Sequence, residues 1–354
     1  MDTQLSLETK EKTKTHPKKR TLVCFTIFAF CFFSSLSFSA SQSNNKLNTD
    51  LSETLKEGMA FFEKGEYLKA KSIFSAEAEQ NLSDAKALQL LGMSQYKLQD
   101  SKNAIQSLEK SLVINPKNAE SHYALGISYL ARTGYVSILK VRKMLKKAVL
   151  HLEKSIEINP KHTSANFYLI QVLINAPGIM GGNEDRGLEL NSRLAEIGPL
   201  QHMVVNSTIA IKNEEYDRAE KILLNADKQF PNKTMIAYSL GELYLRLENY
   251  PQALDYGKKF LSGPKLWDET SENSGYYLLA RAYKGLDNKP ESQKYYDLVL
   301  ENTKSKRMKK QIKRELDELD GKIIAPDKSN EENEFTEEQL NDPDFIRSLS
   351  EEPA

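Results

Sequence analysis

Between residues 51 and 306 apolar side chains recur at helical spacing, and short polar turns break the runs. The stretch ALQLLGMSQYKLQDSKNAIQSLEKSLVINP, residues 87–116, reads as a helix with a Leu-Gly pair, a polar turn, and a second helix stopped by proline. Residues 238–261, YSLGELYLRLENYPQALDYGKKFL, repeat that arrangement. Helix formers are abundant and strand-like runs of Val, Ile and Thr are rare, so the pattern predicts an all-α chain.

The pattern has a period. Gly58, Gly92 and Gly126 are spaced by 34 residues; so are Ala70 and Ala104, Ser207 and Gly241, and Ala219 and Ala253. Ala104, Ala148 and Ala219 each precede a proline (Pro116, Pro160 and Pro231) by 12 residues. A fixed period of this length marks a repeat protein, in which each unit buries its apolar face only against its neighbours.

These positions resemble the tetratricopeptide repeat family. In that pattern a small residue at position 8 and an alanine at position 20 let the two helices of a unit approach. Leu91, Gly92, Ala104, Leu108 and Pro116 take these and the neighbouring roles in one unit. Leu125, Gly126, Tyr129, Ala148, Leu152 and Pro160 take them in the next, and Leu240, Gly241, Tyr244 and Ala253 in a third. The resemblance implies a right-handed helical solenoid of seven units: 51–84, 85–118, 119–162, 163–199, 200–233, 234–272 and 273–306. Units four, five and seven depart from the pattern, with Ile170 at position 8, Asn206-Ser207 for Leu-Gly, and Ser292 for the position-20 alanine.

The family's concave surface comes from positions 2, 5, 9 and 12 of each first helix. The resemblance therefore points to a peptide groove lined by Leu55, Met59 and Phe62, then Gln89, Met93 and Tyr96, then Tyr123, Ile127 and Leu130, then Phe167, Gln171 and Ile174. That apolar, aromatic and Met-rich track suits a hydrophobic peptide or helix. It lacks the charged clamp with which chaperone-binding relatives hold a terminal carboxylate.

Two units are longer than the period. The third carries ten extra residues in RTGYVSILKVRKMLKKA, where Ile138, Val141, Leu145, Val149 and Leu152 keep helical spacing, so its second helix is expected to start early and overhang. Lys140, Arg142, Lys143, Lys146 and Lys147 give the overhang a basic side, either a solvated face or a contact for an acidic partner or anionic lipid. The fourth carries five extra residues in INAPGIMGGNEDRG, residues 174–187. No strand precedes its glycines, no Lys-Ser/Thr follows, and Glu184 and Asp185 would repel a phosphate, so it is read as a shaped turn with Ile179 and Met180 tucked against helices. The paired insertions resemble a group of exported bacterial tetratricopeptide proteins.

At the N-terminus Lys18, Lys19 and Arg20 precede an apolar run from Thr21 to Phe38 and the small residues Ser39, Ala40 and Ser41. That order is expected of an export signal over residues 1–41, with a linker at 42–50; the alternative is an uncleaved membrane anchor through residues 21–38. Export would place the protein in the bacterial periplasm. After unit seven, Met308, Ile312, Leu316 and Leu319 suit a capping helix over 307–322, and residues 323–354 read as a disordered acidic tail, solubilising or docking through Phe345-Ile346.

Composition narrows the function. Lys plus Arg equals Asp plus Glu at 49 each, which argues against a nucleic-acid binder. The two cysteines, Cys24 and Cys31, both lie in the apolar run, so a mature chain would carry no disulfide or Cys-based site. His122, His151, His162 and His202 have no metal-ligand spacing, and Trp267 sits in a widened connection. The expectation is a non-enzymatic scaffold of the cell envelope with no cofactor, binding a protein or peptide; a membrane-tethered assembly subunit and an enzyme-accessory domain are the alternatives.

Overall fold

The computed structural model describes residues 51–263 and 271–322. The expected signal segment, the linker, Trp267 and the acidic tail lie outside the described residues. Within them the chain is helical without strands. Seven helix pairs follow one another: α1 (Glu53–Glu63) with α2 (Tyr67–Gln80), α3 (Ala85–Lys97) with α4 (Ser101–Ile114), α5 (Ala119–Thr133) with α6 (Ile138–Ile158), α7 (Thr163–Asn175) with α8 (Glu184–Ile197), α9 (Pro199–Lys212) with α10 (Tyr216–Gln229), α11 (Thr234–Arg246) with α12 (Tyr250–Ser262), and α13 (Glu272–Gly285) with α14 (Lys289–Asn302). A last helix, α15 (Lys306–Leu319), packs on α14.

Local chemistry sets these limits. Asp84 caps α3 by accepting from the amides of Lys86 and Ala87 at 2.8 and 2.9 Å, and Asn118 caps α5 through Ser121 at 3.0 Å. The turn inside a pair reverses through a left-handed residue at one recurring place: Gly65, Gln99, Glu214, Glu248 and Asp287. Of the two enlarged units, unit three has no left-handed residue in its turn, and unit four places its own at Gly181 within the insertion.

Each helix packs on the next in the chain, and from α3 to α13 each first helix also touches the first helix of the following unit. Second helices make no comparable contact with one another. The first helices therefore form a continuous inner layer. Almost every residue from Ser121 to Leu130 and from Thr163 to Ile174 is buried.

The pairs close on small residues. A Cβ at Gly58 would stand 2.4 Å from the Phe74 ring; at Gly92, 2.6 Å from Leu108 Cγ; at Gly126, 2.8 Å from Leu152 Cγ. The oxygens of Ala104 and Ala148 lie 3.3 Å from the Gly92 and Gly126 positions, and Ala70, Ala219 and Ala253 are fully buried. The atypical units compensate. Unit four has bulky Ile170 at position 8 but carries Gly187 on α8, where a Cβ would meet Ile174 Cγ1 at 2.7 Å. In unit seven Ser292 donates to the Ala280 carbonyl at 2.9 Å. In unit six Gly241 faces Leu278 of α13 at 2.7 Å, and the same side chain meets Gly257 at 2.7 Å. There the plug comes from the next unit.

The two insertions pack together. Helix α6 extends to 21 residues, and its overhang touches the short 3-10 turn Gly178–Met180. Arg142 Nε donates to the Ile179 carbonyl at 3.1 Å, and Met180 is buried. The solenoid also returns on itself. Ser305 Oγ donates to the Gly134 carbonyl at 2.9 Å, while Lys304 and Arg307 reach the carbonyls of Leu98 and Val136 at 3.4 Å each.

Candidate protein-interaction surface

The track expected to line a groove is mostly core. Leu55, Phe62, Gln89, Met93, Tyr123, Ile127, Leu130, Phe167, Gln171 and Ile174 are all buried, and only Met59 and Tyr96 keep partial exposure. The inner helices touch unit to unit, so these side chains fill seams that a more open coil would leave to a ligand. Tyr123, for instance, packs on His162 with ring centroids 4.7 Å apart, and on Tyr168 at 6.0 Å. Gln89 is buried with its amide oxygen accepting from Asn118 at 3.2 Å.

Several of the partly exposed side chains on the inner layer are charged. Glu120 accepts from His162 Nε2 at 3.1 Å; His162 Nδ1 is already the acceptor capping α7, so Nε2 carries the proton. Lys86 lies near Glu120 and Asp84, with burial pulling its pKa down against their attraction. Further along, Arg281 on α13 pairs with Glu242 on α11 at 3.3 Å and lies over the Tyr277 ring at 5.5 Å. The Arg281 side chain is 37 % exposed. Tyr277 and Tyr296 both donate to Glu315, which ties α15 to the inner and outer helices of unit seven. Lys86, Glu120, Glu242 and Arg281 occupy positions 2 or 9 of their units. The expected track holds no position-2 residue and ends at unit four, so none of the four belongs to it.

The glycine turn is closed to anions by its own bonds. The amides of Met180, Gly181, Gly182 and Asn183 donate to Pro177, Gly178, Pro177 and Leu173. Gly181 has φ +105°, and a Cβ at Gly182 would fall 1.7 Å from the Ala176 carbonyl oxygen. Both glycines are demanded by the turn itself.

A histidine pair joins α5 to α6. His122 Nε2 donates to the Pro116 carbonyl at 3.1 Å, so its Nδ1 accepts from His151 Nδ1 at 3.0 Å. Burial lowers the pKa of both, that of His151 to about 4, and each charge would raise the cost of the other. Nothing in the spacing of His122 and His151 announces this contact. Among the described residues no three His, Cys, Asp or Glu side chains converge as a metal site, and no helix is long and apolar enough to cross a membrane.

Comparison with known proteins agrees with this architecture. Family models described as tetratricopeptide repeat match residues 85–118, 206–266 and 274–305. No curated protein matches in sequence. Among solved structures, a tetratricopeptide repeat protein from Parabacteroides merdae is 15 % identical, with 73 % of this chain and 96 % of that one covered at a TM-score of 0.50. The structure of the APC/C hetero-tetramer Cut9-Hcn1 is also 15 % identical, covering 79 % of this chain and 51 % of that one at 0.51. This chain thus spans about half the length of the latter, and at such identity the likeness concerns fold alone. The chain carries tetratricopeptide repeats, built into an all-helical solenoid.

Proposed function

We propose that the protein is a non-catalytic scaffold that holds a polypeptide partner along the inner face of its solenoid. Repeats of this kind serve as protein-interaction modules, and the matched families are repeat families, not catalytic ones. The observation that carries the reading is the set of partly exposed charged groups Lys86, Glu120 and Arg281, the last paired with Glu242, on an inner layer that is largely buried. It favours a partner segment bearing charges of both signs over the apolar helix that the sequence suggested. The set supplies orientation and the surrounding packing supplies rigidity.

A photo-crosslinking side chain placed at positions 86, 242 and 281 should capture the partner, whereas the same group at Lys110 and Glu157 on outer helices should not. Capture from the outer positions alone would move the site to the convex face. The order of basic, apolar and small residues across 18–41 supports action outside the cytoplasm, in the bacterial envelope. The mass of the mature N-terminus checks this: a start near Ser41 supports release into the periplasm, and retention of residues 21–38 supports a tether.

A further inference from the structure

Cations of two distant segments meet where the solenoid returns on itself. Lys304, Ser305 and Arg307 bond to the turns at Leu98, Gly134 and Val136, and the overhanging helix α6 starts from that same turn at Ile138. Lys140, Lys143 and Lys146 of α6 and Lys304, Lys306 and Lys309 at the start of α15 are all exposed, and none has an ion-pair partner among the described residues. Neither helix has a carboxylate in its first turn. Cations thus crowd at two helix starts, the ends where the helix dipole opposes them. Some cations elsewhere on the solenoid are paired: Lys212 with Glu184, Arg186 with Glu153, and Lys259 with Asp227.

The missing negative charge is in the chain itself. Residues 323–354 hold ten carboxylates against Lys328 and Arg347, a net of −8, while residues 51–322 carry a net of +5. The segment leaves from the far end of α15, a helix of 14 residues, or about 21 Å. Nine Cα-to-Cα steps separate Lys322 from the first acidic cluster, Glu331-Glu332-Asn333-Glu334. They span up to about 30 Å when extended, enough to come back along α15 to its start.

We infer that the C-terminal acidic segment, residues 323–354, docks on the composite basic patch formed by the start of α6 and the start of α15, as a self-ligand that covers the place where the solenoid closes. Tethering raises its local concentration so that individually weak pairs suffice, and the contact is sensitive to salt.

Carbodiimide coupling of the full chain, which joins carboxylates to amines in direct contact, tests the contact. Carboxylates between Asp327 and Asp344 should couple within one molecule to Lys140, Lys143, Lys146, Lys306 or Lys309, and raising the salt to about 0.5 M should abolish the products. Coupling spread over exposed lysines of the whole surface, or only between molecules, would overturn the docking. A chain ending at Lys322 provides the second arm. Freed of its cover, it should bind vesicles containing anionic phospholipid at least about tenfold more tightly than the full chain at low salt. Equal binding by both chains would show that the patch is open in the full chain, and would equally overturn the inference. The Lys140→Glu, Lys143→Glu, Lys146→Glu variant, checked for unchanged helical circular dichroism, should lose the couplings; couplings left at full yield on Lys306 and Lys309 would deny α6 its share.

Discussion

Gly92 carries a close helix approach in unit two, with the space for one methyl already taken by Leu108. Gly92→Ala should lower stability by about 1–3 kcal/mol in denaturant unfolding, since the added carbon must displace a fully buried side chain. Adding Leu108→Ala should return part of that loss, so the double variant falls short of the sum. Strict additivity would mean the two residues do not meet. This contact was legible in the sequence because Gly58, Gly92 and Gly126 recur in phase, and only a packing constraint repeats a glycine so regularly. Gly187 and Leu278 were not legible. An insertion of five residues carries Gly187 out of phase, and Leu278 belongs to a different unit from the glycines it fills.

At the scale of elements, the pair α5–α6 holds a titratable seam. His122 and His151 are neutral when they share one proton, the His151 ring stacks on Tyr129 at 5.8 Å, and Lys147 and Lys154 stand nearby as cations. Both folded pKa values lie below the ordinary histidine value, so the unfolded chain binds more protons in the acidic range. Stability should therefore be fully present above about pH 6.5 and decline as pH falls toward about 4, by on the order of 1–2 kcal/mol once solvent access is allowed for. Melting temperatures across that range check it, and His151→Phe should flatten the dependence. The length of α6 could be read from the helical spacing of Val141, Leu145 and Val149. Its bond to the glycine turn, Arg142 to the Ile179 carbonyl, could not, because a backbone acceptor 37 residues away leaves no trace in residue type. That most of the groove track is buried was hidden for a related reason. Apolar residues at positions 5, 9 and 12 serve equally as a ligand surface and as an inner seam, and the contact between successive first helices decides between them.

For the whole molecule the closing contact matters most. Spin labels at positions 134 and 305, with Cys24 and Cys31 replaced by serine, should report one short and narrow distance. In a background of Lys304→Ala and Arg307→Ala the distribution should broaden and the radius of gyration should grow. A long distance in the unaltered background would mean that the solenoid is open. The seven-unit count follows from the period, but the return of residue 305 to residue 134 depends on the accumulated rotation from unit to unit, which no short motif encodes.

Leu278 gives the chain a direction in time. Units one to three fill their own glycine gaps with Phe74, Leu108 and Leu152, so each can seal as soon as its second helix exists. Unit six cannot, because Gly241 and Gly257 both wait for a side chain that is made later. During synthesis from the N-terminus, the sixth repeat stays unsealed until the ribosome has released α13, and a chain cut after Gly263 would keep that gap for good.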